Sequence, residues 1–136
     1  MTSPSLPRVF AEAVGLRVTL PALLRTLPLD RVLQLVTPGR PRARAARGKG
    51  ALVTIEKATD ALTRWFRPTR TACMSRALMR YVLLRRHGFD ARFFIGVRPG
   101  GGDGFEAHAW VTLDDVPVME REPVHCRPTF VWPRTT

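Results

Sequence analysis

The sequence predicts an α+β fold, helices first and a small antiparallel sheet after them, in a single domain over residues 1–136. Three observations lead there. Apolar residues recur at intervals of three and four from the N-terminal region to about residue 86. The period then falls to two in three short runs, separated by a glycine-rich segment and an Asp-Asp pair. Finally, 136 residues with 45% hydrophobic content suit one modest core. Residues 1–50 read as N-terminal helices and a basic linker, and residues 51–136 as the core of the domain.

Residues 7–36 read as helical segments broken at Pro21 and Pro28. Val9, Phe10, Ala13, Val14 and Leu16 form a first apolar stripe, and Leu23, Leu24 and Leu27 a second. Val32, Leu33, Leu35 and Val36 form a third, with Asp30 as its expected N-cap. These stripes read as core, with Leu23, Leu27 and Leu33 also candidates for an apolar face that a partner covers. Residues 37–50 hold five basic residues, no acidic ones, and Gly and Pro enough to keep most of the stretch out of regular structure. They are a solvated linker or an electrostatic handle for an acidic partner. Residues 51–66 read as a helix with Leu52, Ile55, Ala58, Leu62, Trp65 and Phe66 on one face, stopped by Pro68. Residues 72–86 read as the strongest helix. Met74, Ala77, Leu78, Tyr81, Val82 and Leu84 form its apolar face, Arg76, Arg80, Arg85 and Arg86 its polar face, and Gly88 its stop. His87 is expected to favour the negative end of that helix. Strands are expected over 92–97, 107–113 and 116–120, with turns at 98–104 and at Asp114–Asp115. The tail, with Pro123, Pro128 and Pro133, reads as irregular, with Phe130 and Trp132 packed inward. No internal repeat is visible.

Lys and Arg number 22 against 11 Asp and Glu, a net charge of +11. Such a surface attracts anionic partners over long range. A merely solvated Arg-rich surface is the first reading of that charge, an acidic peptide or protein partner comes next and nucleic acid last, so no nucleic-acid partner is expected. Cys73 and Cys126, the two cysteines, make no disulfide framework, and without a C-x-x-C pair no structural zinc is expected. No signal peptide is expected, since no apolar run of adequate length precedes a small-residue cleavage site, and Arg8, Arg17, Arg25, Asp30 and Arg31 interrupt the apolar residues before they could span a membrane. A cytoplasmic protein with reduced thiols is expected. The glycines of 98–104 lack phosphate-loop spacing and open no helix, so no nucleotide or other cofactor is expected.

Cys73 falls at the start of the strongest helix. There a thiol meets unsatisfied backbone N–H groups and the positive end of the helix dipole, which favour the reactive thiolate. Arg70 and Arg76 act in the same direction. A free cysteine is also a common small core residue. His108 shifts the balance toward chemistry. It alternates with Trp110 on one face of its strand, and 35 residues separate it from Cys73 (108 − 73 = 35), room for a helix and a returning hairpin. An imidazole in reach of a thiol makes an activated nucleophile. A third group should hold the imidazole in one tautomer. Glu120 ranks first for that role and Asp115 second, since Asp114 and Asp115 occupy a turn where Asp is common. His125 and Cys126 read as structural.

The stretch TACMSRALMRYVLLRRHGFDA, then FIGVR, then EAHAWVTLDDVPV resembles the transglutaminase-like leader peptidases of lasso-peptide biosynthesis, over roughly residues 68–120. The resemblance implies a transglutaminase-like or papain-like core with Cys73 as nucleophile and His108 as base. It implies an acid about a dozen residues after the histidine, which is Glu120 here where the family commonly has Asp. The implied reaction is hydrolysis of one peptide bond in a ribosomal precursor peptide. A separate leader-recognition protein and an ATP-dependent macrolactam synthetase are the implied partners. Acyl transfer to an amine, a binding module for nucleic acid or an acidic protein, and a pseudo-enzyme that docks the precursor are the competing readings.

Overall fold

A computed structural model describes residues 5–37, 49–65, 72–100, 104–120 and 123–133, with the side chains of 49, 63–65, 72 and 73 outside the described set. Helices α1 (Leu6–Thr26), α2 (Leu29–Val36), α3 (Lys49–Trp65) and α4 (Ala72–Arg86) precede strands β1 (Ala91–Pro99), β2 (Phe105–Leu113), β3 (Val116–Val118) and β4 (Arg127–Trp132). The strands form one antiparallel sheet in the order β3-β2-β1-β4. This is the α+β class read from the sequence, with one strand more. The expectations at Arg70, Phe66, Pro68 and most of the basic linker fall outside the described residues, as does the side chain of Trp65.

α4 is the central element, packed against α1, α3, β1 and β2. Leu78, Tyr81, Val82, Leu83 and Leu84 are all fully buried on it. Each such apolar side chain contributes about 1.5–3 kcal/mol on leaving water. One cluster joins them to Val9, Ala13, Leu16 and Leu20 of α1, Val32 and Leu33 of α2, Ile55 and Leu62 of α3, and Phe93 and Val111 of the sheet. Gly88, at φ 90, ends α4: Gly88 N–H donates to Arg85 O and Phe89 N–H to Leu84 O, a paired closure that only a left-handed residue permits cheaply. The His87 ring turns to α1, with Nε2 3.3 Å from Glu12 Oε1.

Several expectations are corrected. α1 runs through Pro21 instead of breaking there. An internal proline costs a helix about 3 kcal/mol, but Leu16 and Leu20 before it and Leu23, Leu24 and Leu27 after it pack on the same cluster. Asp30 lies in the first turn of α2, and Pro28 holds the N-cap position with no side-chain hydrogen bond to the helix. Leu33 is fully buried and Leu23 and Leu27 pack against the core, so they form no exposed apolar face. Arg80 and Arg85 do not belong to a solvated face, since both are buried. Arg85 reaches Asp90 at 3.1 Å and Ala91 O at 3.0 Å. The tail is not irregular: residues 127–132 add β4 beside β1, and Trp132 Nε1 donates to Thr37 Oγ1 at 3.2 Å.

Candidate active site

Period-two alternation gives the β1–β2 hairpin two faces. Directly opposed residues share a face. Phe93 opposite Val111 and Ile95 opposite Ala109 turn to the helices, where the Tyr81 ring lies 6.2 Å from Phe93. Phe94 opposite Trp110 and Gly96 opposite His108 turn the other way. On that second face the side chains form a continuous row. The Arg92 guanidinium lies 5.5 Å from the Phe94 ring, Phe94 stacks on Trp110 at 5.5 Å, and Trp110 stacks on His108 at 6.0 Å. Trp110 is buried, so the His108 ring has a fixed wall on one side.

Gly96 makes that wall possible. A Cβ there would stand 2.6 Å from Arg127 O and 2.7 Å from the Trp110 ring, closer than real Cβ atoms approach anything. A close approach of two strands and an indole therefore requires glycine at this position.

The next member of the row comes from beyond β3. Asp114 and Asp115, at φ 50 and 62, close a two-residue hairpin that sets Val116 opposite Leu113. The strand expected to run to residue 120 ends at Val118, because Met119 adopts φ 61 and turns the chain. Glu120 emerges with Oε2 3.3 Å from His108 Nε2, the two side chains 16% and 28% exposed. That separation is at the long end of hydrogen bonding, in a setting partly shielded from water. Asp115, the second-ranked acid, stays at the turn, 81% exposed, with Oδ1 3.2 Å from Arg92 Nη1.

Cys73 is the second residue of α4, and its side chain lies outside the described residues. Position 73 falls seven residues before Arg80, about two turns and roughly 10 Å along the same helical face. Arg80 is the link from that face to the acid. Its Nη1 donates to Met119 O at 2.9 Å, its Nε to Thr59 Oγ1 at 2.9 Å, and its Nη2 to Asp60 Oδ1 at 2.7 Å. Burial pushes the guanidinium below its ordinary value and neighbouring Arg76 adds to this, while Asp60, Glu120 and Glu56 oppose it. Glu120 is thus close enough to Arg80 to be felt as a charge.

A cleft of about 720 Å³ opens beside the pair, lined by Arg98, Phe105, His108, Glu120, His125 and Cys126 among others. The free thiol of Cys126, read from sequence as structural, stands on the wall of the cleft that His108 faces. Sequence reasoning missed this because it missed β4, which anchors the segment. Trp110 as a ring support, Gly96 and Arg80 were missed as well; the alternation of His108 with Trp110 was their one visible signal. Among the described residues, no group of three or more His, Cys, Asp or Glu side chains could hold a metal ion. No helix among them is long and apolar enough to cross a membrane.

The family profile of the transglutaminase-like superfamily matches residues 14–130. The chain belongs to the transglutaminase-like superfamily. Its members generally have a cysteine-protease-like catalytic fold. Four helices and a four-stranded antiparallel sheet are consistent with that core. Neither the curated proteins nor the solved structures contain a match to this chain.

Proposed function

We propose that this superfamily member is a cysteine peptidase that removes the leader from a ribosomal lasso-peptide precursor. Cys73 is its nucleophile, His108 its general base and acid, and Glu120 the residue that orients the imidazole. The observation that carries the reading is the His108 Nε2–Glu120 Oε2 contact at 3.3 Å beside an open cleft. Membership of the superfamily and the position of Cys73 at the start of α4 support it.

With Glu120 accepting from Nε2–H, the imidazole keeps Nδ1 for the thiol. His108 Nδ1 takes the Cys73 proton, and the thiolate attacks the scissile carbonyl. The Cys73 backbone N–H, in the first turn where N–H groups have no partner within the helix, can hold the developing oxyanion. His108 then gives the proton to the departing amine, leaving a thioester. Water, deprotonated at the same nitrogen, releases the carboxylic acid and regenerates the thiol. Glu120 stabilises the imidazolium formed between these steps. The sequence resemblance extends the proposal to a separate leader-binding protein and a macrolactam synthetase that receives the freed core peptide, and the sparse cysteines extend it to a cytoplasmic setting.

The test is mass spectrometry of the precursor peptide, incubated with this protein and its leader-binding partner, beside Cys73→Ala and His108→Ala. Cleavage at one site by wild type alone is the expected result. A product heavier by an amine instead of water means acyl transfer. Binding without cleavage by any of the three sinks the peptidase reading.

A further inference from the structure

Arg80 is a buried cation with three different partners, and its donors lie in one rigid plane. Two of them are held on α3, by Thr59 Oγ1 at 2.9 Å and by Asp60 Oδ1 at 2.7 Å. The third, Nη1, is thereby aimed at one point in space, and Met119 O occupies it at 2.9 Å. Met119 is the residue whose left-handed φ of 61 sends the chain from β3 to Glu120. A left-handed methionine carries a steric penalty and persists only where its surroundings impose it. The peptide unit that Arg80 grips is the Met119–Glu120 unit itself, one bond from the Glu120 Cα.

We propose that Arg80 is a positioning residue, fixing the Met119–Glu120 peptide so that the Glu120 carboxylate stays on His108 Nε2 and leaves Nδ1 to the thiol. The proposal rests on the reading of Glu120 as the orienting acid. A role confined to joining α3 to α4 would need only Thr59 and Asp60. The bond to Met119 O spans 39 residues and contributes nothing to that junction.

The experiment compares wild type, Arg80→Lys, Glu120→Gln and the double variant in the full chain, with two readouts. The first is the ¹⁵N spectrum of the His108 imidazole, which reports which ring nitrogen carries the proton and needs no substrate. Arg80→Lys keeps the charge but not the planar fork. It should move the His108 signals in the direction that Glu120→Gln moves them, and the double variant should match Glu120→Gln alone. The second is kcat/KM on the precursor peptide. Arg80→Lys should lower it about tenfold or more through kcat, since small misplacements of reacting groups cost up to about 100-fold, with no further loss once Glu120 is replaced. Wild-type His108 signals in a folded Arg80→Lys overturn the proposal, as do multiplicative losses in the double variant. Should Arg80→Lys fail to fold, Asp60→Asn loosens the same anchor, and an unshifted His108 spectrum there overturns the proposal equally. Absence of cleavage by wild type refutes the peptidase reading alone, because the spectra still judge whether Arg80 sets the Glu120–His108 contact.

Discussion

The two faces of the β1–β2 hairpin are built from neighbouring residues and behave as different materials. Toward the helices stand Phe93, Ala109 and Val111, buried at 0%, 3% and 2% exposure and wholly apolar. On the other face stand Arg92, Phe94, Trp110 and His108, stacked in a row that ends at Glu120 and the cleft. The first face contributes stability by excluding water and filling space. The second holds a titratable ring in one orientation at the edge of solvent. Because adjacent residues point oppositely, positions 108 and 109 can be altered with separate consequences.

The largest expected effect tests that separation from the site. His108→Ala should lower the cleavage rate on the order of 10²–10⁴-fold, the usual range for a positioned acid–base group, while the urea midpoint hardly moves. A large loss of stability would mean that the row is as structural as the core face. Next, Phe93→Ala should cost about 3–5 kcal/mol in urea unfolding, the cost of a large core cavity, with kcat per folded molecule preserved. Gly96→Ala should fail on both counts, destabilising by about 1–3 kcal/mol through overpacking and slowing cleavage, since the new methyl meets both Arg127 O and the Trp110 ring. An unaltered rate would show that the Trp110 wall matters little to His108.

The smallest effect belongs to the core face. Burial raises the Tyr81 hydroxyl above its ordinary value of 10.0, with the Thr37 hydrogen bond at 2.8 Å pulling back. The folded chain therefore holds the phenol proton more tightly than the unfolded one. Its contribution is complete below pH 10 and is lost as pH rises through the folded value. Tyr81→Phe should cost about 1 kcal/mol at neutral pH, one hydrogen bond, and should flatten the alkaline fall in stability followed by circular dichroism. An unchanged alkaline limb would assign that fall to another group.

Much of this was legible in the residues. α3, α4, the long hairpin and the glycine stop at 88 follow from spacing, because local pattern and tertiary packing agree there. The parts that escaped depend on distant partners. Arg80 looks like part of a solvated face until Asp60, 20 residues back, and Met119 O, 39 residues on, are brought to it. β4 was hidden by its prolines. Pro128 is tolerable because β4 is the edge of the sheet, where one missing donor disturbs only one neighbour. Helix α1 continues past Pro21 because packing on both sides outweighs a local penalty. Glu120 ranks first among the acids in the sequence because it ends the expected third strand while Asp114 and Asp115 occupy the turn. Its contact with His108 depends on a left-handed Met119, and no side-chain pattern announces that conformation.

The strand order has a consequence for a chain that leaves the ribosome from its N-terminus. β4 docks against β1, not against β3, so the segment between Val118 and Arg127 must cross from one edge of the sheet to the other. That crossing carries Glu120 and, near its far end, Cys126. During synthesis the helices and the hairpin can assemble while the crossing is still tethered at one end only. The Glu120 end of the crossing is held through Met119 O by Arg80 of α4, whereas Cys126 takes its place on the cleft wall only once β4 has docked.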